Sequence, residues 1–143
     1  MSTIQRSLAI IKPDAVGAGK AGKILAQLES AGFKIRAARL VKLTTAQAEA
    51  FYAVHRERPF YRSLVAFMTS GPALAVALQH DDAVARLRDV IGATDPAEAK
   101  PGTVRKLYAE SKERNAIHAS DAPETAAREV AFFFPERELQ ELA

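Results

Sequence analysis

The stretch Ser7-Leu8-Ala9-Ile10-Ile11, halted by Lys12-Pro13, constrains the fold more than any other part of this chain. A run this short and apolar, ended by proline, reads as a buried strand, and it leaves Lys12 at the strand end. Gly17, Gly19 and Gly22 then punctuate a loop, after which Ile24, Leu25 and Leu28 recur at helical spacing until Gly32 offers a stop. The glycine-rich turn is not a P-loop, because Lys20 and Lys23 follow the wrong glycines.

From Phe33 the odd positions Phe33, Ile35, Ala37, Val41 and Leu43 are apolar, the alternation of a half-buried strand that only Arg39 breaks. Thr44-x-x-Gln47 can form a capping box for a helix with Ala50, Phe51 and Val54 on one stripe. Pro59 interrupts it after Arg56-Glu57-Arg58, and a second helix carries Phe60, Leu64, Phe67 and Met68, so these two segments form a helical hairpin. After the break Ser70-Gly71-Pro72, the run Ala73 to Leu78 has the length of a strand but the Ala and Leu content of a helix, and composition leaves both readings open. Asp81 or Asp82 caps a helix with Val84, Leu87 and Ile91 on one face, closed by Gly92. The longest irregular stretch, Ala93 to Thr103, contains Pro96, Pro101 and Gly102, and long ordered loops are disproportionately functional. A short basic helical turn with Arg105 and Lys106 follows.

The stretch Asn115 to Glu124 places His118 after two apolar residues and just before a helix start. Ser120 and Asp121 are N-cap candidates, Pro123 suits a first helical turn, and Asp121-x-x-Glu124 has capping-box spacing, so a positive helix N-terminus able to receive phosphate is expected near His118. A helical run to Glu129 and the apolar Val130 to Phe134 complete the chain's ordered pattern. The order β-α-β-β-α-β with an inserted helical hairpin predicts an α+β ferredoxin-like sandwich, a four-stranded antiparallel sheet covered by helices.

At 143 residues, without repeats or linkers, the chain reads as one domain over 1–143 that needs no disulfide or metal staple. There are no cysteines, and no apolar run nears the roughly twenty residues of a membrane span. Met1 to Arg6 has no apolar core preceding a cleavage site, so the expectation is a cytoplasmic protein. Lys and Arg total 20 against 17 acidic residues, a charge of +3 that fits anionic small ligands as well as nucleic acid.

Asn115-x-x-His118-Ala119-Ser120-Asp121, taken with Ile11-Lys12-Pro13-Asp14-Ala15-Val16, resembles the nucleoside diphosphate kinase family, and the similarity runs from Arg6 to about Pro135. The resemblance implies transfer of the γ-phosphoryl group of a nucleoside triphosphate to a nucleoside diphosphate, by a ping-pong route through phospho-His118, with broad base tolerance. It implies that Lys12, Arg88 and Arg105 converge on the phosphates, that Thr94 adds a hydroxyl, and that Tyr52 lies near the terminal group. Glu129 and Ser120 orient the histidine, Phe60 beside Leu64 is the platform for the base, and Asn115 reads ribose hydroxyls and phosphates. Mg2+ is expected on the nucleotide phosphates and water, since no acidic cluster in the sequence looks like a protein cage. A homo-oligomer, tetramer or hexamer, is implied too, with no need to bind nucleic acid. His55 and His80, in charged helix-end contexts, read as surface residues.

Ala119 stands where the family more often has glycine. Were that backbone at positive φ, alanine would cost roughly 1 kcal/mol; the intact neighbours lead us to expect a negative φ. Two other readings are open to this topology and charge. A nucleic-acid-binding module would need aromatics interleaved with basic residues on the central strands, whereas here they cluster at Phe51 to Phe67 and Phe132 to Phe134. A catalytically dead relative would lack His118 or Lys12, and both are present.

Overall fold

The computed structural model describes residues 4–139. The expectations that concern the first three residues, and the last four after Leu139, lie outside these. Strand β1 (Ile4–Ile11) pairs antiparallel with β3 (Ala73–Asp81) along its whole length, and β3 pairs with β2 (Lys34–Val41). On the other side of β1, three residues of β4 (Ile117–Ala119) pair antiparallel with Ala9 to Ile11. The resulting order β2-β3-β1-β4 is the expected ferredoxin-like sheet.

Because side chains alternate across a sheet, β1 and β3 feed two separate cores. Leu8, Ile10 and the alanines 73, 75 and 77 face the aromatic helices α3 (Thr45–Phe51), α4 (Tyr61–Met68) and α7 (Pro123–Phe133). Ala9, Ile11, Val76 and Leu78 face α2 (Ala21–Ser30), α5 (Ala83–Ile91) and the short α6 (Val104–Tyr108). The ambiguity at Ala73 to Leu78 thus resolves as strand. Small side chains there let Phe51, Phe67 and Phe133 pack close to the sheet, and this burial overrides the low β-propensity of alanine.

Several local expectations are corrected. The glycine loop after Lys12 is partly helical: α1 (Pro13–Gly17) starts at the proline, whose fixed φ suits a first helical position, and Gly22 lies inside α2. β2 carries a bulge between Ile35 and Ala37, which shifts its alternation, so Leu40 at an even position is 62% exposed. The Thr44–Gln47 capping box forms as read, but the buried stripe of α3 is Ala48 and Phe51; Ala50 is exposed, and Val54 lies in a 3₁₀ turn (Ala53–His55), also exposed. Asp82 occupies the N-cap of α5 with φ 51° and makes no cap bond with its side chain, while Asp81 is still in β3. Gln5 of β1 supplies the cap instead, its Oε1 accepting the Val84 N–H at 2.8 Å.

The start of α7 differs as well. Its N-cap is Ala122, and the first turn is held by Thr125: its Oγ1 accepts the Ala122 N–H at 3.0 Å and donates to Asp121 Oδ1 at 2.7 Å. Glu124 takes no part in such a box but lies in the positive first turn. The helix continues past Glu129 to Phe133, and a further turn, α8 (Glu136–Leu139), follows. Arginines tie these ends to the sheet, since Arg39 Nη1 donates to the Phe133 carbonyl at 2.7 Å and Arg6 Nη2 to that of Leu139 at 2.8 Å.

Candidate active site

His118 is the middle residue of β4 and pairs with Ile10, so its side chain leaves the sheet on the face of Phe51, whose ring meets it edge-on at 5.5 Å. Glu129, two turns into α7, accepts a hydrogen bond from His118 Nε2 at 2.8 Å, and Ser120 Oγ donates to the same Oε1 at 2.7 Å. An ionised carboxylate only accepts, so Nε2 carries the proton and Nδ1 keeps its lone pair. Burial pushes the Glu129 carboxyl up, but the hydrogen bond and charge of His118, the Ser120 hydroxyl and nearby Arg128 together hold it below its ordinary range. Arg128 Nη2 lies 3.6 Å from Oε2, the oxygen His118 does not use. When the imidazole is neutral, this carboxylate fixes it in one tautomer and leaves Nδ1 unengaged.

A cavity of about 530 Å³ opens over this histidine. Lys12 reaches it from the N-cap of α1; it is 7% exposed, and its Nζ donates to Asn115 Oδ1 at 2.8 Å. Burial, then the neighbouring Arg105 charge, push the Lys12 ammonium down to about 8, against the opposing pull of Asp14 and Glu113. Arg105 is held by backbone carbonyls alone, Nη1 to Gly92 at 3.0 Å and Nη2 to Ile117 at 2.7 Å. Its burial and the nearby Arg88 charge lower it to about 10, which leaves it cationic at neutral pH. Only glycine fits at position 92: its φ is 90°, and a Cβ there would lie 2.5 Å from Thr103 Oγ1. Asn115 Nδ2 donates in turn to the Thr94 carbonyl at 3.2 Å.

The Tyr52 hydroxyl is buried without a partner, its ring edge-on to His118 at 6.1 Å. Burial, helped by the Glu129 charge, raises its pKa far above neutral, so it stays a proton donor. Phe60, 45% exposed, stands at the mouth beside Leu64. A cavity with cations on one wall, an exposed aromatic at its rim and an oriented imidazole at its base has the chemistry to align a polyphosphate for in-line attack.

A model of the family described as nucleoside diphosphate kinase matches residues 5–139. The chain belongs to the nucleoside diphosphate kinase family. Such kinases transfer a phosphoryl group from one nucleotide to another through a phosphohistidine intermediate, and this chain is a phosphotransferase of that kind. They act with a divalent cation. The nucleoside diphosphate kinase of Bordetella avium is 58% identical over 134 residues, 94% of this chain and 95% of the relative. That of Nitrosospira multiformis is 55% identical over 133 residues, 93% of this chain and 94% of the relative. The solved nucleoside diphosphate kinase of Aquifex aeolicus superposes with a TM-score of 0.94 at 45% identity, covering 96% of this chain and all of that one. The halophilic enzyme from Halobacterium salinarum, solved in complex with CDP, gives a TM-score of 0.93 at 36% identity over 99% of this chain and 94% of that one.

Of the residues expected from the kinase motifs, Lys12, Tyr52, Phe60, Leu64, Arg88, Thr94, Arg105, Asn115, His118 and Glu129 all line this one cavity. Ser120 is fully buried behind it and reaches the site through Glu129. The surface reading of the other histidines is corrected. His55 lines the cavity, its ring 5.4 Å from that of Phe60, and His80 is clasped between the carbonyls of Ala31 and Asp81. Thr125 and Arg128 also line the cavity from α7; Thr125 lies four positions before Glu129 and three before Arg128, and that helical spacing was the available signal. Ala119 lies in β4 and is absent from the positive-φ residues, as expected; the strained residue is Ala116, at φ 74°.

The position of Lys12 at this cavity predicts a pH-sensitive activity. A lysine that must be charged to receive phosphates loses its task as pH rises through its pKa. kcat/KM for a nucleoside triphosphate should therefore fall above about pH 8, while kcat, which reports the nucleotide-bound enzyme, should fall only at higher pH because bound phosphates favour the ammonium. Coincident alkaline limbs in the two profiles would remove Lys12 from that role.

Proposed function

We propose that this kinase, as one catalytic domain over its 143 residues, passes the γ-phosphoryl group of a nucleoside triphosphate to Nδ1 of His118 and from there to a nucleoside diphosphate. The observation that carries this reading is the pair of hydrogen bonds that engage Glu129 Oε1 from His118 and Ser120 while leaving Nδ1 of this cavity-lining histidine without a hydrogen-bond partner among the described residues. Lys12, Arg88 and Arg105 neutralise the charge that spreads over the phosphoryl oxygens, and Thr94 and the Tyr52 hydroxyl add neutral donors. Glu129 stabilises the imidazole as its positive character grows during attack, and Ser120 keeps that carboxylate in place. Because the acceptor diphosphate occupies the same cavity as the departed one, a single constellation runs both half-reactions.

Mg2+ is the cation we assign. It would be held through phosphate oxygens and water; among the described residues no group of three or more His, Cys, Asp or Glu side chains could cage a metal. Asp121 is the carboxylate suited to meet such water: it lines the cavity, and the Thr125 hydroxyl holds its pKa below the ordinary range. The bound ion supplies charge neutralisation to the phosphates. No helix among the described residues is long and apolar enough to cross a membrane, in keeping with a cytoplasmic enzyme. The exposed edge of β2 with Leu40 suits assembly into a homo-oligomer, tetramer or hexamer.

The test is a chase. Phosphoenzyme formed with γ-labelled ATP should lose its label to ADP, GDP, CDP and TDP at similar kcat/KM, since the face of Phe60 stacks on any base. Dideoxy acceptors should be poor, because they forfeit the bonds that Lys12 and Asn115 offer to sugar hydroxyls. Strong preference for one base contradicts the assignment of Phe60, and label that no diphosphate removes contradicts the whole reading.

A further inference from the structure

One charged side chain of the Ile11 to Val16 motif, Asp14, does not line the cavity. Its carboxylate reaches across 102 positions of sequence, where Oδ2 accepts the N–H of Ala116 at 3.1 Å. Ala116 is one of two non-glycine residues with positive φ among those described. The N–H of Ile117 donates to the carbonyl of Asn115 at 2.9 Å, which closes a γ-turn around Ala116. With φ of 74° at its centre this is the rare, strained form of that turn, which persists only where the surroundings impose it.

Here the surroundings are the corner between β1 and α1. Asp14 takes the Ala116 N–H, and the backbone N–H of Lys12 donates to the Ala116 carbonyl at 2.8 Å. Ala116 is fully buried and its methyl offers no polar hold, so both of its backbone groups are gripped from this one corner. The turn sits between Asn115, which meets Lys12, and the strand that carries His118. We propose that Asp14 is a positioning residue for phosphoryl transfer, its carboxylate locking the strained turn at Ala116 so that Lys12, Asn115 and His118 converge on one cavity.

This inference rests on the reading of His118 as nucleophile. Asp14 acts through other groups and reaches none of the reacting atoms. It has a second, electrostatic effect on Lys12. Around that ammonium, Arg105 from α6 opposes its charge, Asp14 from α1 and Glu113 from the preceding loop favour it, and Asn115 accepts its hydrogen bond.

Three variants separate these effects: Asp14→Ala, Asp14→Asn, and Asp14→Ala combined with Ala116→Gly. Single-turnover labelling by γ-labelled ATP, nucleotide Kd and thermal unfolding are measured on each. Asp14→Ala should label about 10²-fold more slowly, the penalty of a small misplacement at the reacting centre, with little change in Kd. Adding Ala116→Gly should restore most of the rate, since glycine adopts positive φ without a clamp. Asp14→Asn keeps an acceptor for the Ala116 N–H and should label well at neutral pH, but the alkaline limb of its kcat/KM should move to lower pH. A merely structural aspartate would lower Tm without changing the rate per folded molecule, and glycine at position 116 would rescue nothing; either result overturns the proposal. Should Asp14→Ala fail to fold, the double variant carries the test: labelling near the parent rate supports the proposal, and a double variant that folds but labels about 10²-fold more slowly overturns it. Normal labelling of His118→Ala would sink the nucleophile assignment, whereas a parent enzyme labelled on His118 with an indifferent Asp14→Ala would sink only this inference.

Discussion

His118→Ala is expected to fold like the parent chain, to take up no label from γ-labelled ATP, and to show no measurable transfer between nucleotides. The substitution removes a side chain that contacts Phe51, Tyr52 and Glu129 at the cavity wall, where its exposure of 20% leaves water able to fill the gap. Chemistry suffers far more than stability, because no other described imidazole is placed to substitute for it. His80 has both ring nitrogens against backbone carbonyls, and His55 packs against Phe60 with no carboxylate to hold its tautomer. His55→Ala is therefore the control that should still be labelled. In the parent the label should be acid-labile and stable to alkali, as a phosphoramidate is. Undiminished labelling of His118→Ala would overturn the assignment of the nucleophile.

Replacing Lys12 with alanine should lower kcat by about 10²-fold or more, the scale seen when a preorganised donor to developing charge is removed, equivalent to roughly 2.7–4 kcal/mol. Nucleotide affinity should fall by much less. The reason lies in how Lys12 is held: it is nearly buried, depressed in pKa by desolvation and by Arg105, and bonded to Asn115 rather than to a carboxylate. A charge kept partly desolvated and unneutralised interacts most strongly when negative charge moves toward it, which is what transfer of a phosphoryl group does. Stopped-flow phosphorylation and equilibrium binding on the same variant separate the two effects. Weakened binding at an unchanged kcat would reduce Lys12 to a docking charge.

The sheet order and the site motifs were legible because each rests on local pattern. The run Ser7 to Ile11 in β1, the alternation in β2 and the spacing around His118 carry their meaning without knowledge of their neighbours. What stayed hidden depends on partners distant in sequence. The alanines of β3 read as helix or strand until three aromatics pack on them, and the cap of α5 comes from Gln5, 79 residues earlier. The bulge in β2 shifted the apparent alternation, and Pro13 hid a helix by standing where a loop was expected. In the site, His55 escaped notice because its neighbour Phe60 lies beyond a 3₁₀ turn that the sequence disguises as the tail of α3. The strain fell on Ala116 rather than Ala119, and a γ-turn built from ordinary residue types carries no local signature in the sequence.

The three-residue strand β4 has a consequence for how the molecule comes into being. Lys12 and Asn115, which meet in the finished cavity, are 103 positions apart, and β4 joins the sheet only along β1, pairing with Ala9 to Ile11. As the chain leaves the ribosome, β1, β2 and β3 can pair before the last quarter has been made, but the face of β1 that α7 covers stays open. At that stage β1 still shows an open edge, and neither the imidazole nor its carboxylate exists within reach. Closing that edge and arming the site are one event, the docking of the final strand and α7. A nascent chain that lacks them is therefore inert, and the contacts that arm the site are among those that span the longest stretches of sequence.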